Sequence, residues 1–256
     1  MDFIQKFLSQ FQIIWILVRR DYALQYAGSA FGIAWMFIQN GTLILLYAFV
    51  FLYLNLKNPS TQYDYSAYVF SGLLFWIPLQ ELLLRGTSIL TDNRQLIKRS
   101  SLGVSVFIWI PYIQYLIHYA LTSFMVVIIL TIYSEVNWMG LVLSYFWMAL
   151  VGIYILFLIH YLSRVNILLK DISPLVRLLS QILFWGLPIL YYPFGILEKL
   201  NQIHPLNYPL DIFRSLLMKN YESHFHFYEF LPFLIFAILV FYFSKTKFQK
   251  VVMDHL

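Results

Sequence analysis

Ionisable side chains are almost missing from six stretches of this chain: Ile33–Leu54, Ser66–Leu84, Val104–Tyr133, Trp138–Leu162, Leu175–Tyr192 and Phe230–Ser244. A hydrocarbon core about 30 Å thick takes about 20 helical residues rising 1.5 Å each, so most of these runs are long enough to cross it. The last is short by itself, but Phe227 and Tyr228 extend it on one side, and Lys245 and Lys247 can snorkel on the other. With 61% hydrophobic and 11% charged residues, a soluble domain would have a surface that water could not solvate. Runs such as Leu43-Ile44-Leu45-Leu46 and Val126-Val127-Ile128-Ile129-Leu130 lack the alternation of barrel strands. The expected fold is therefore an all-α integral membrane protein forming one domain over 1–256. It has an N-terminal amphipathic interfacial helix (1–32), spans one to five (33–190), an outer segment with short re-entrant helices (191–228), and a last span with its tail (229–256).

Basic residues set the orientation. With the amino terminus cytoplasmic, six spans place Lys6, Arg19, Arg20, Arg85, Arg94, Lys98, Arg99, Arg164, Lys170, Arg177, Lys245, Lys247 and Lys250 on that side, 13 of the 17 Lys and Arg. Both termini are expected in the cytoplasm. The net charge of +5 follows from this asymmetry, so no nucleic-acid partner is called for. The chain has no Cys, and Met1–Arg20 lacks the short apolar core and small-residue cleavage site of a signal peptide.

Three segments outside the spans are informative. In Asp2–Ala27, Phe3, Phe7, Phe11, Ile14 and Val18 share one stripe, while Gln5, Ser9, Gln12, Arg19 and Arg20 fall opposite. That pattern predicts an interfacial helix; Ile13, Ile16 and Leu17 break it and leave open that part of the helix packs on protein. In Arg85–Gly103, the run Asp92-Asn93-Arg94-Gln95-Leu96-Ile97-Lys98-Arg99 either forms a short helix offering Leu96 and Ile97 to a soluble partner, ringed by Arg94, Lys98 and Arg99, or is a basic loop that merely obeys the positive-inside rule. In Tyr191–Tyr228, Pro193, Pro205 and Pro209 punctuate two apolar pieces, Phe194–Ile203 and Leu210–Met218. These predict short re-entrant or interface-lying helices, suited either to a gate or to a structural cap.

Catalytic signatures are missing: there is no Gly-rich phosphate loop, no His-Glu-x-x-His, and no Ser, His and Asp set at a telling spacing. Within the spans the ionisable residues are Glu81, His118 and His160, too few for a proton relay, and His118 reads as a histidine bonded to a neighbouring helix. Gly28 and Gly32 make a Gly-x-x-x-Gly pair that would allow close helix approach. Aromatic residues reach 20% of the chain. Trp35, Trp109, Trp138 and Tyr191-Tyr192 sit where membrane belts form, whereas Tyr47, Trp76, Tyr115, Tyr145, Trp147, Tyr154 and Trp185 fall deeper, either bonding across helices or lining a wet path.

The order of several stretches resembles ABC-type polysaccharide exporter permeases, those for O-antigen in particular. Arg20-Asp21-Tyr22 … Gln25-Tyr26 … Gly28-Ser29 … Phe31-Gly32-Ile33 … Trp35 … Gln39 is similar to the family's entry signature, in which an interfacial helix carrying Arg19, Arg20 and Asp21 leads into the first span. Tyr68-Val69-Phe70-Ser71-Gly72-Leu73 … Trp76, then Asn93 … Leu96-Ile97-Lys98-Arg99, resembles its second span and coupling loop. Lys170-Asp171-Ile172 … Pro188-Ile189-Leu190-Tyr191 resembles its fifth span, and His204-Pro205-Leu206 … Leu210-Asp211 … Phe213-Arg214 its outer gate segment, with Pro205, Asp211 and Arg214 as gate residues. Asn40 and Gly103 stand where the family has Pro, Lys170 where it has Arg, and His204 where it has Asn.

The resemblance implies a transport subunit, not an enzyme: a homodimer in the bacterial inner membrane, working with two ATP-binding cassette subunits to move a lipid-linked polysaccharide. This chain would bind no cofactor or metal, ATP and Mg being held by the partner. Residues 92–99 would dock that partner. Flat rings offer sugar faces weak apolar contact, and Tyr47, Trp76 and Trp185, with Tyr191 and Tyr192 at the exit, are the expected path. The alternatives are a permease for drugs, lipids or teichoic acid, and, from another class, a membrane-embedded lipid-handling transferase, against which the lack of clustered carboxylates or His in the spans speaks.

Overall fold

The computed structural model describes residues 2–32, 34–50, 65–100, 102–133, 136–193, 195–219, 221–224 and 226–255, with the backbone alone for 2–9, 132–133 and 245–255. Ile33 and residues 51–54 of the first expected span, Lys57, Phe194, and the side chains of Phe3, Gln5, Lys6, Phe7, Ser9, Lys245, Lys247 and Lys250 lie outside the described residues.

The described residues form ten helices in the order α1 (Asp2–Gln25), α2 (Ala34–Ala48), α3 (Tyr65–Asp92), α4 (Arg94–Arg99), α5 (Val104–Tyr133), α6 (Trp138–Leu168), α7 (Ile172–Gly186), α8 (Ile196–Ile203), α9 (Asn207–Leu217) and α10 (Phe227–His255). Four of them, α3, α5, α6 and α10, are long and apolar enough to cross a membrane, and the chain is a multi-pass membrane protein. The first and fifth expected spans appear as shorter apolar helices of 15 residues each, α2 and α7. At 1.5 Å per residue the 15 residues of α7 rise about 22 Å, less than a hydrocarbon core. The cause in α7 is local. Pro188 holds Leu187 in an extended conformation (φ −82°, ψ 141°), so the helix expected to run through Tyr192 stops at Gly186.

α3 is the spine of the bundle. It packs on α5, α6 and α7, and α10 reaches the core through α6. Small residues permit these approaches: a Cβ on Gly86 would overlap the Ile159 side chain, and one on Gly152 would lie 2.6 Å from Tyr115 Cε1 and 2.8 Å from Tyr112 Cε2. Tyrosines then tie α5 to α6 rung by rung. Tyr112 donates to the Ala149 carbonyl (3.0 Å), Tyr115 to that of Met148 (2.7 Å), Tyr119 bonds the Ser144 hydroxyl (2.5 Å), and Ser123 bonds the Tyr145 hydroxyl (2.6 Å). In a hydrocarbon environment such pairs satisfy hydroxyls that have no water to turn to.

Part of α1 packs on protein, the reading that Ile13, Ile16 and Leu17 left open: Leu17, Val18, Asp21 and Tyr22 are buried, while Phe11, Trp15, Ile16 and Leu24 are exposed. The face of α1 on α5 thus includes Leu17, which breaks the expected stripe, and Phe11 points away from it. One reading of the sequence needs correction. Gly28 and Gly32 are not a helix-packing pair. They have φ of 77° and 51° in the turn from α1 to α2, and a Cβ on either would touch nothing within 4 Å. Their requirement is for left-handed backbone, which Gly adopts at little cost.

Candidate functional site

Two ends of α3 hold the residues singled out by sequence. At its C-terminal end, Asn93 separates α3 from the short helix α4, and Asn93 Nδ2 bonds back to the Ile89 carbonyl at 3.1 Å. Arg94, Gln95, Lys98 and Arg99 are exposed on α4, Asp92 is exposed and accepts from Ser88 Oγ (2.7 Å), and Leu96 is half-buried. Ile97 is buried in the core of its own chain. The surface left for a partner is therefore basic and polar with Leu96 at its edge, and Ile97 anchors α4 to the bundle instead of presenting itself outward.

The same end receives α1. Arg20 Nη1 donates to Asn93 Oδ1 (3.1 Å) while Arg19 is exposed. One residue on, the buried Asp21 pairs with Arg85 of α3 and accepts from Gln114 Nε2 of α5 (2.8 Å), and Arg85 Nε reaches Gln114 Oε1 at 3.3 Å. Tyr22 stacks on His118 with ring centroids 6.2 Å apart, and His118 Nδ1 bonds Glu81. His118 is thus bonded to a neighbouring helix, and the partner is an ionisable residue 37 positions away. Nothing in local spacing signals either pair.

At the N-terminal end of α3 lies a second buried polar cluster. Arg214 of α9 is 1% exposed; its guanidinium sits 3.5 Å above the Tyr68 ring and donates from Nη2 to the carbonyls of Pro188 (2.6 Å) and Tyr68 (3.2 Å). Three positions back, buried Asp211 accepts from the Tyr221 hydroxyl (2.6 Å) and the His224 N–H (2.8 Å). Burial pushes the Tyr221 hydroxyl up, which keeps it a donor. Gly72 makes the approach possible, since a Cβ there would lie 3.0 Å from Arg214 Nη2 and 3.2 Å from Ile189 Cα. Pro205 lies between α8 and α9, over the α3–α6–α7 contact. α9 begins at Asn207, three residues before the expected start, because Pro209 fits the first turn, where an N–H has no intrahelical partner. Its C-terminus meets the start of α6, where Asn137 N–H donates to the Leu217 carbonyl at 3.1 Å.

The expected aromatic path divides. Trp76 is buried, donates from Nε1 to Gln80 Oε1 (3.1 Å) and lies 6.0 Å from Phe184; Trp185, next to that ring, is 66% exposed. The Tyr191 hydroxyl donates to the Trp185 carbonyl (3.1 Å), and Tyr192 packs 4.5 Å from Tyr68. Tyr47 is on α2, partly buried against the core, and α2 packs on α3 and α5. Among the described residues no three His, Asp or Glu side chains are grouped to hold a metal.

Over 230 residues, 83% of both chains, the sequence is 24% identical to the O-antigen export system permease protein RfbA of Klebsiella pneumoniae. The chain is similar to O-antigen export permeases. The protein of the same name from Myxococcus xanthus is 23% identical over 175 residues, 68% of this chain and 66% of that one, so just under two thirds of that relative's length is matched. No protein-family model matches the chain. The resemblance read from its motifs agrees with these similarities.

Proposed function

We propose that this chain is the transmembrane subunit of an ATP-driven exporter that moves a lipid-linked, O-antigen-like polysaccharide across a bacterial inner membrane. The observation that carries this reading is the similarity to an O-antigen export permease along 83% of the chain. The structure supports it with a helical membrane bundle whose spine ends in an exposed basic helix, α4, at one end and in the α8–α9 segment at the other. In this reading α4 docks an ATP-binding subunit, α8–α9 gates the outer mouth, α2 and α7 complete six spans, and the termini are cytoplasmic. The chain works as a homodimer, and Leu175, Leu178 and Ile182 make an exposed apolar stripe on α7 that is open to a second copy or to lipid. Energy comes from the partner.

Deleting the gene from its host tests the whole reading. Lipid-linked polymer should accumulate inside the cell and vanish from the surface, and re-expression of the chain should restore it. Normal surface polymer with altered drug or lipid content would sink the polysaccharide reading in favour of another exporter. Purified alone, the chain should hydrolyse no ATP.

A further inference from the structure

Between α3, α6 and α7 lies a narrow cavity of about 180 Å³, roofed by Pro205 and Leu206 of the α8–α9 link. Its walls run from Trp76 to Leu83 on α3, from Tyr154 to Leu162 on α6 and from Val176 to Leu183 on α7. Eight or nine helical residues on each wall make it about 10 to 12 Å long, with its length along the helices. Apart from the faces of Trp76 and Tyr154 every lining side chain is aliphatic or proline, and the Trp76 N–H is already given to Gln80. Water needs two to four polar partners to stay in such a place, and apolar cavities of about 150 Å³ remain dry and take apolar guests.

We propose that this cavity is a binding slot for one straight acyl chain of a bilayer phospholipid. The slot sits among the membrane-crossing helices α3 and α6, where the surrounding solvent is itself acyl chain, and its long axis runs with the helices, the direction in which lipid tails lie. A second copy of this chain is the poorer occupant. The outward stripe of α7 is Leu175, Leu178, Ile182 and Trp185, whereas the slot is lined by Val176, Leu179 and Leu183 on a neighbouring face, with only Leu179, 43% exposed, common to the slot and the surface. A sugar polymer, which needs many hydrogen bonds, finds almost no polar surface there. The bound tail packs beneath Pro205, so the slot gives lipid a direct contact with the α8–α9 link. This inference needs only a membrane and stands apart from the transport reading.

The test uses the full chain in proteoliposomes containing a phosphatidylethanolamine with a diazirine midway along a saturated tail, followed by photolysis and mapping of adducts by peptide mass spectrometry. Adducts should concentrate on Leu79 and Leu158 over Ile235 and Phe236, which are exposed on α10. Leu158→Phe should fill the slot and abolish the first set while leaving the second unchanged; Leu79→Phe does the same from the opposite wall, so a folding failure in one variant is covered by the other. Adducts spread evenly over slot and α10, or persisting in both filled variants, would overturn the proposal. So would preferential labelling by a diazirine-bearing polyprenyl phosphate, which would give the slot to an isoprenoid carrier.

Discussion

Arg20 of α1 donates to Asn93 Oδ1, 73 residues away, at the one residue that separates α3 from α4. With Asp21 paired to Arg85 in the next position, α1 and the basic helix α4 are fastened to the same end of α3, and under the proposed reading a push on α4 would be transmitted to α1. Asn93→Ala should lower stability by about 1 to 2 kcal/mol, the worth of a partly buried hydrogen bond to a charged group. Its larger effect is expected in the complex, as weaker stimulation of the partner's ATP hydrolysis by substrate. Unchanged stimulation in an assembled N93A complex would show that the tie serves α1 packing alone.

Lys98 and Arg99 face solvent and Ile97 faces the core, so their substitution should separate docking from folding. K98E with R99E should leave insertion and melting temperature near wild type while export and coupled hydrolysis fall. Ile97→Asn should instead destabilise the bundle by about 2 to 4 kcal/mol through a buried polar group and a partial cavity, read by thermal unfolding in detergent.

Much of the architecture is legible in the sequence because span hydrophobicity and turn chemistry are local. The long helices α5, α6 and α10 and most of α3 fall where composition places them, and α3 runs eight residues past its expected end to Asp92. α4 takes the helical one of the two readings left open for residues 92–99, and the two pieces of the segment 191–228 are apparent from Pro193, Pro205 and Pro209. What escaped depends on distant partners. Asp21 finds Arg85 and Gln114, and His118 finds Glu81, only after three helices assemble. Gly86 and Gly152 read as unremarkable, and Gly72 as one letter of a motif, until a Cβ is tried against Ile159, the tyrosines and Arg214. In α1 the apolar residues outnumber one face, so periodicity left both readings open and could not say which of them meets α5. Of the candidate site, Arg214 and Asp211 are marked by resemblance; Tyr68 and Pro188 stand in the matching stretches without any sign that they meet Arg214, and Tyr221 is not marked at all.

Gly72→Ala should loosen the outer segment without removing any hydrogen-bonding group. Its methyl would press on Arg214 Nη2 and on the backbone at Ile189, and only the former can give way. Because the chain has no cysteine, Met218→Cys is a clean reporter: Met218 is 6% exposed beside Ser71, and a thiol there should resist an impermeant reagent in the parent and react in the Gly72→Ala background. Equal protection in both would mean that Arg214 does not hold α9 down.

His204 lies in the α8–α9 link, outside the helices long enough to span. Burial lowers its pKa from 6.5 to about 4, the Leu183 carbonyl pulling weakly the other way, and Nδ1 accepts from the Leu206 N–H at 3.1 Å. The unfolded chain then binds a proton that the folded one refuses between those two values. Stability is therefore fully present above pH 6.5 and is lost as the pH falls toward 4. His204→Asn should flatten that part of the melting-temperature profile; a wild-type-like decline between pH 6.5 and 5 in the variant would assign the loss to other groups.

The two tryptophans expected on the path should behave differently, because one is buried and the other is not. Trp76 is 2% exposed, packs against Phe184 and reaches α7 through Gln80, whose Nε2 lies 3.4 Å from Ser180 Oγ; Trp185 stands 66% exposed on the outward stripe of α7. Trp76→Leu should cost about 2 to 4 kcal/mol and reduce assembled protein, since a large buried ring is lost with its hydrogen bond. Trp185→Leu keeps an apolar side chain on an exposed face and should leave stability within about 0.5 kcal/mol. If rings hold a sliding polymer by many weak contacts, Trp185→Leu should reduce export of long chains more than of short ones while ATP hydrolysis continues. Surface polymer length, measured by gel profile beside the amount of assembled complex, separates these outcomes: a uniform loss at every length would make Trp185 a packing residue for a partner helix.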